Sequence, residues 1–253
     1  MRRPNGKILF VFLVAFILML LATAPATLLS SVLDSTSNGR FVLANARGTF
    51  WQGSATPAIR RKDATLLALE KLHWDISILP LFTGKISTTL RWEGIEQEQP
   101  MVVVLSYGQV EVRKAAIPLP AAVLGELSPL LQPVLLSGNM LIKSDQLVYS
   151  GNGIEGKAVA EWMNAGSVLS AVNPLGNYQL SISGNGKQLD VSLETVSGAL
   201  ILEGNGSYTL GTGLKFQATA KASAGHGEGL KELLSNFGPE SSSGVHTFNL
   251  MGK

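Results

Sequence analysis

Residues 8 to 33 carry no charged side chain, and Arg2, Arg3 and Lys7 stand directly in front of them. From Ile8 to Ala24 nearly every side chain is large and apolar (ILFVFLVAFILMLLATA). Roughly 20 helical residues, at about 1.5 Å each, cover the ~30 Å hydrocarbon layer of a bilayer. A transmembrane signal-anchor helix is therefore expected over residues 8–29. Positive residues on the short N-terminal side hold that end in the cytoplasm. Residues 1–7 then form a cytoplasmic tail, and residues 30–253 are translocated.

A cleaved signal peptide is the competing reading, because Ala22-Thr23-Ala24 and Ala24-Pro25-Ala26 both have small residues at cleavage spacing. Two features oppose it. The apolar run exceeds the usual signal core of about 7–15 residues, and a cut after Ala24 places Pro25 just beyond the scissile bond. Retention of the helix is the expectation.

The rest of the chain reads as β structure. Charged residues make up only 15% of the sequence, and glycine occurs 27 times. That composition suits a turn-rich sheet better than a charged helical bundle. A formal net charge of +2, with no basic run longer than three residues beyond the N-terminus, argues against nucleic acid as a partner. The absence of cysteine rules out thiol catalysis and cysteine-containing zinc sites.

Strand patterns recur along the chain. Arg40 to Gly53 reads as a strand, a glycine-permitted kink and a second short strand, ahead of a solvated turn at Arg60-Arg61-Lys62-Asp63. Leu69–Ile76, Lys85–Trp92 and Met101–Val112 follow, the last bent at Gly108. Pro118, Pro120, Pro129 and Pro133 restrict residues 120–131 to short helical pieces. Leu135 to Tyr149 returns to strand character, with Ser137-Gly138-Asn139 and Lys143-Ser144-Asp145 as turn signals. The clearest pattern is a hairpin. Tyr178, Leu180 and Ile182 alternate with polar residues, then Gly184-Asn185-Gly186 turns the chain, and Leu189, Val191 and Leu193 alternate in return. A second turn is expected at Gly204-Asn205-Gly206. Leu230, Leu233, Leu234 and Phe237 form a helical stripe ended by Gly238-Pro239, and Val245–Met251 is a last strand.

The fold class expected is thus mainly β: an N-terminal transmembrane helix, then a curved antiparallel sheet with a few short helices. Trp74 ahead of Pro80-Leu81, and Trp162 ahead of Pro174-Leu175, each lead into a strand. They suggest two stacked β repeats over residues 40–112 and 135–220.

Catalytic patterns are missing. His73, His226 and His246 show no metal-ligand spacing, and His73 reads as a strand-surface residue. Gly184-Asn185-Gly186-Lys187 lacks the full phosphate-loop spacing, and no nucleophile elbow occurs. Glu93, Glu96 and Glu98 read as a solvated loop in preference to a divalent-cation site. The expectation is no catalytic, metal or cofactor site. Phe50 and Trp51 should lie on a strand with one ring in the core and the other exposed, where it could dock on a partner. Tyr178, Leu180, Leu189, Val191 and Leu193 would line the apolar face of an open sheet, or else form a conventional core.

The segments Gly48-Thr49-Phe50-Trp51-Gln52-Gly53, Trp74 with Pro80-Leu81-Phe82-Thr83-Gly84, and Pro174-Leu175-Gly176-Asn177-Tyr178 come in that order. Leu193–Leu200 and Gly204-Asn205-Gly206 follow. With the N-terminal anchor, the whole chain resembles the type II secretion system protein N family. That resemblance implies an inner-membrane protein with a periplasmic domain, non-enzymatic and without cofactor. It would be accessory to the machinery that carries folded proteins across the outer membrane. Its expected partners are other inner-membrane secretion components and membrane lipid. The alternative is a periplasmic β-groove that binds lipid or another hydrophobe. An unrecognised hydrolase is disfavoured, since no nucleophile–base pair can be named.

Overall fold

The computed structural model describes residues 6–96, 98–127, 134–241 and 244–252. Two helices open the chain, α1 (Gly6–Ala22) and α2 (Thr27–Thr36). The first half of the β structure comprises β1 (Phe41–Gly48), β2 (Gln52–Arg60), β3 (Leu66–Ala68), β4 (Leu72–Ser77), β5 (Ile86–Trp92), β6 (Met101–Ser106) and β7 (Gln109–Pro120). A 3-10 helix, Leu79–Thr83, joins β4 to β5. After α3 (Ala122–Leu127) come β8 (Leu136–Ser150), β9 (Gly153–Ser167), β10 (Gly176–Gly186), β11 (Gln188–Gly198), β12 (Leu200–Thr209) and β13 (Gly213–Ala222). Helix α4 (Gly227–Ser235), β14 (Glu240–Ser241) and β15 (Val245–Gly252) end the chain.

All these strands belong to one antiparallel sheet, ordered β1-β2-β4-β5-β6-β7-β8-β9-β10-β11-β12-β13-β15-β14, with β3 pairing on β2. Each strand up to β13 therefore pairs with its neighbour in sequence apart from the β3 excursion. Residues 40–112 and 135–220 lie side by side in this sheet. They are halves of one sheet, joined where β7 pairs with β8 from Gln109↔Ser150 to Pro120↔Asn139.

Strand alternation gives the sheet two unlike faces. On one, cross-strand partners are apolar: Trp74↔Leu90, Val103↔Val112, Ile117↔Ile142, Leu180↔Leu193 and Ile182↔Val191. The other carries ion pairs and amide–carboxylate bonds. Lys143 reaches Glu161 at 2.8 Å, Arg113 reaches Glu111 at 2.7 Å, and Gln179 donates to Glu194 at 3.0 Å. Two helices cover the apolar face toward its two sides. Leu29 of α2 and the neighbouring Ala26 pack on Ala55, Trp74 and Leu90. Leu230, Leu233 and Leu234 of α4 pack on Leu200, Ala220 and Phe248. Helix α3 reaches back to the first strands, where Glu126 pairs with Arg61 at 3.3 Å and its carbonyl accepts from Arg40 at 3.3 Å.

Several expectations need correction. The apolar helix ends at Ala22, not at residue 29, and α2 is a separate helix packed on the sheet. Pro25 is the physical cause: it lacks an N–H donor and bars its predecessor from helical geometry. Thr49 pairs with Pro25 in an isolated bridge at the break. No helix among the described residues is long and apolar enough to cross a membrane. Gly204-Asn205-Gly206 is not a turn. It lies inside β12, paired to Leu193, Ser192 and Val191 on one side and to Ala218, Gln217 and Phe216 on the other. A Cβ on Gly204 would sit 2.6 Å from the Phe216 ring and 2.7 Å from the Ala218 Cβ, so glycine makes room for an aromatic neighbour. Likewise Ser137-Gly138-Asn139 and Lys143-Ser144-Asp145 are register shifts within the long β8. The first hairpin turn falls one residue late, at Gly186-Lys187 between the paired Asn185 and Gln188. Residues 1–5 of the expected tail, and 128–133 with Pro129 and Pro133, lie outside the described residues.

Candidate functional site

Register places one set of turns along a single rim of the sheet. The pairs Gln52↔Asp75, Ile86↔Leu105, Ser106↔Gln109, Gln109↔Ser150 and Leu214↔Gly252 all lie at this rim. Helix α1 meets the sheet at the same place. The Trp51 indole Nε1 donates to the Leu21 carbonyl at 2.7 Å, and the Phe50 N–H donates to the Ala24 carbonyl at 2.7 Å. From the sheet side, Trp74 Nε1 donates to the Phe50 carbonyl at 3.1 Å and the Ile76 N–H to the Trp51 carbonyl at 2.6 Å. The last carbonyls of a helix have no intrahelical partner. Trp51 supplies one, which ties the apolar helix to the sheet.

Phe50 and Trp51 thus occupy the β1–β2 turn, not a strand interior. They stack edge to face, with centroids 5.3 Å apart, and both remain partly exposed. The expected division into one core ring and one free ring fails because turn residues do not alternate between sheet faces. Bonds to residues 30 positions away have no local sequence signal, although a Phe-Trp pair between two glycines marked the spot.

The apolar face holds the other candidates. Tyr178 is only 2% exposed, its hydroxyl donates to the Leu200 carbonyl at 2.9 Å, and it packs on Trp162. Burial pushes its phenol well above the ordinary tyrosine range. It is a core residue. Leu180, Leu189, Val191 and Leu193 are half-buried on the same face, on β10 and β11 beside the strands that α4 covers. Gly206 and Gly204 stand opposite Val191 and Leu193 on β12, and the Phe216 ring lies over the space their missing side chains leave.

The histidines have structural surroundings. His73 lies on the polar face with Glu93 at 3.7 Å, while Lys71 reaches the same carboxylate at 3.1 Å. The Lys71 hydrogen bond holds the Glu93 carboxyl below its ordinary range. His226 contacts Ser223, and His246 contacts the Gly238 carbonyl at 2.8 Å. Among the described residues no group of three His, Asp or Glu could hold a metal ion. Glu96 and Glu98 are exposed and do not join Glu93 in such a group.

No curated protein and no solved structure matches the chain. A family model does, and it covers residues 40–249, from the residue before β1 into β15. Since this match takes in nearly the whole sheet and well over half of the sequence, the chain belongs to the type II secretion system protein N family.

Proposed function

We propose that this type II secretion component is anchored in the inner membrane by α1 and acts without catalysis, by contact, from the periplasmic side. One observation carries the reading: α1 is apolar all round and fastened to the sheet at Trp51. Leu9, Phe10, Phe12, Phe16, Leu18 and Met19 point in several directions around the helix, and each is more than half exposed. A helix of that kind is stable in a protein core or in lipid. Its 17 described residues measure about 25 Å, short of the ~30 Å hydrocarbon layer. Local thinning of the bilayer, Lys7 reaching to one headgroup layer and Trp51 at the other accommodate the shortfall. The secretion partners are other inner-membrane components. Crosslinking of the full chain in native envelopes tests this. Recovery of secretion components is expected, and recovery of none would sink it.

A second reading has its own support. The apolar face between α2 and α4 presents Leu180, Leu189, Val191 and Leu193, half-buried with no second sheet over them among the described residues. Such a surface suits an acyl chain or another hydrophobe. Native mass spectrometry of the detergent-purified protein distinguishes the two readings. Bound lipid that is lost on Val191→Asp favours the groove, and a lipid-free protein excludes it.

A further inference from the structure

The rim that receives α1 differs from the opposite rim in its chemistry. The 3-10 helix between β4 and β5 exposes Leu79 at 81% and Phe82 at 85%, and Tyr107 in the β6–β7 turn is fully exposed. Just inside them Ile86 and Leu105 form a cross-strand pair, each still two-fifths exposed. The connecting segments on this rim, residues 49–51, 78–85, 107–108, 151–152, 187 and 210–212, contain lysines at 85 and 187 and no acidic residue. On the opposite rim the connections carry Asp63, Glu93, Glu96, Glu126 and Glu232 among others.

Large apolar side chains exposed together mark a surface that meets an apolar partner. The chain itself indicates which one. Phe50 and Trp51 bond to the end of α1 at this same rim, and in sheet spacings Tyr107 lies within about 22 Å of them. Whatever surface α1 emerges from is therefore within reach of Leu79, Phe82 and Tyr107. Aromatic residues with nearby lysines suit the headgroup–acyl boundary, where ring bodies are apolar and anionic headgroups attract cations.

We infer that this rim is a membrane-seating surface: Leu79, Phe82 and Tyr107 enter the boundary of the leaflet from which α1 emerges, with Lys85 among its headgroups. The inference rests on the anchoring proposed for α1. The sheet then stands on the bilayer with a fixed tilt instead of swinging on a tether, and its apolar face opens at the lipid surface.

The sequence contains no cysteine, so single-cysteine labelling is unambiguous. The full chain carrying Val14→Cys, Phe82→Cys, Tyr107→Cys or Val196→Cys is labelled with an environment-sensitive fluorophore. Each is reconstituted into vesicles of phosphatidylethanolamine and phosphatidylglycerol. Val196, on β11, is 64% exposed and serves as the aqueous reference. The expected result is blue-shifted emission at 82 and 107, several-fold weaker quenching by iodide than at 196, and strong quenching by a nitroxide placed near the headgroups. Iodide quenching at 82 and 107 equal to that at 196, with 14 in lipid, would overturn the inference and leave the anchoring intact. A water-accessible label at 14 would overturn the anchoring itself. Shielding from iodide without nitroxide quenching would mean protein covers the rim, and would also overturn the inference.

Discussion

Trp51 donates its indole hydrogen to the carbonyl of Leu21, joining a turn of the sheet to the last residues of an apolar helix across 30 positions of sequence. This bond, with Phe50 N–H to the Ala24 carbonyl, makes the junction a fixed corner.

Trp51→Phe keeps the ring and removes the donor, leaving the Leu21 carbonyl without that partner. A single hydrogen bond of this kind contributes about 1 kcal/mol, which in a domain of this size lowers Tm by about 2–4 °C. Thermal unfolding of the full chain in detergent should show that shift. A variant indistinguishable from wild type would mean the junction is loose.

Gly204→Ala should destabilise the sheet by about 1–3 kcal/mol through overpacking on Phe216. Because the clash is with the ring tip, Phe216→Leu should recover part of the loss in the double variant. Urea midpoints of the three variants measure it. Strictly additive losses would show that the two residues do not share space.

Tyr178→Phe removes a buried hydroxyl and strands the Leu200 carbonyl it serves, a loss of about 1–2 kcal/mol. If Tyr178 were instead a partner contact, the same change would weaken crosslinking and leave the urea midpoint untouched.

Glu111 sets an acid limit. Hydrogen bonding from Arg113, aided by Gln146, depresses its carboxyl below the ordinary range despite an opposing desolvation effect. A folded-state value below the unfolded one means its stabilisation is present above the unfolded value of about 4.3 and lost as pH falls through the folded value. Glu111→Gln should therefore flatten the pH dependence of the urea midpoint below about pH 5. An unchanged acid slope would show that the pair contributes nothing.

The sequence made the sheet legible wherever alternation was clean. Leu180 and Ile182 against Leu193 and Val191 pair as their spacing demands, and α4 follows its 230-233-234-237 stripe closely. What misled was glycine chemistry. Gly-Asn-Gly reads as a turn at 184–186 and at 204–206 alike. The difference lies in Phe216, which fills the missing side chain at 204 but sits twelve residues away on another strand. Apolarity alone likewise carried the first helix to residue 29, although Pro25 marked a break that composition could not weigh. The rim of Leu79, Phe82 and Tyr107 was invisible for a third reason. Only strand direction brings those turns to the side where α1 arrives.

The proposal that α1 holds the sheet at the periplasmic surface is tested most directly by accessibility of Val196→Cys in cells. With the outer membrane permeabilised and the inner membrane intact, a membrane-impermeant maleimide should label the full-length protein, which should stay with the membranes through an alkaline carbonate wash. Labelling only after the inner membrane is broken, or release of the protein into the soluble fraction, would contradict it.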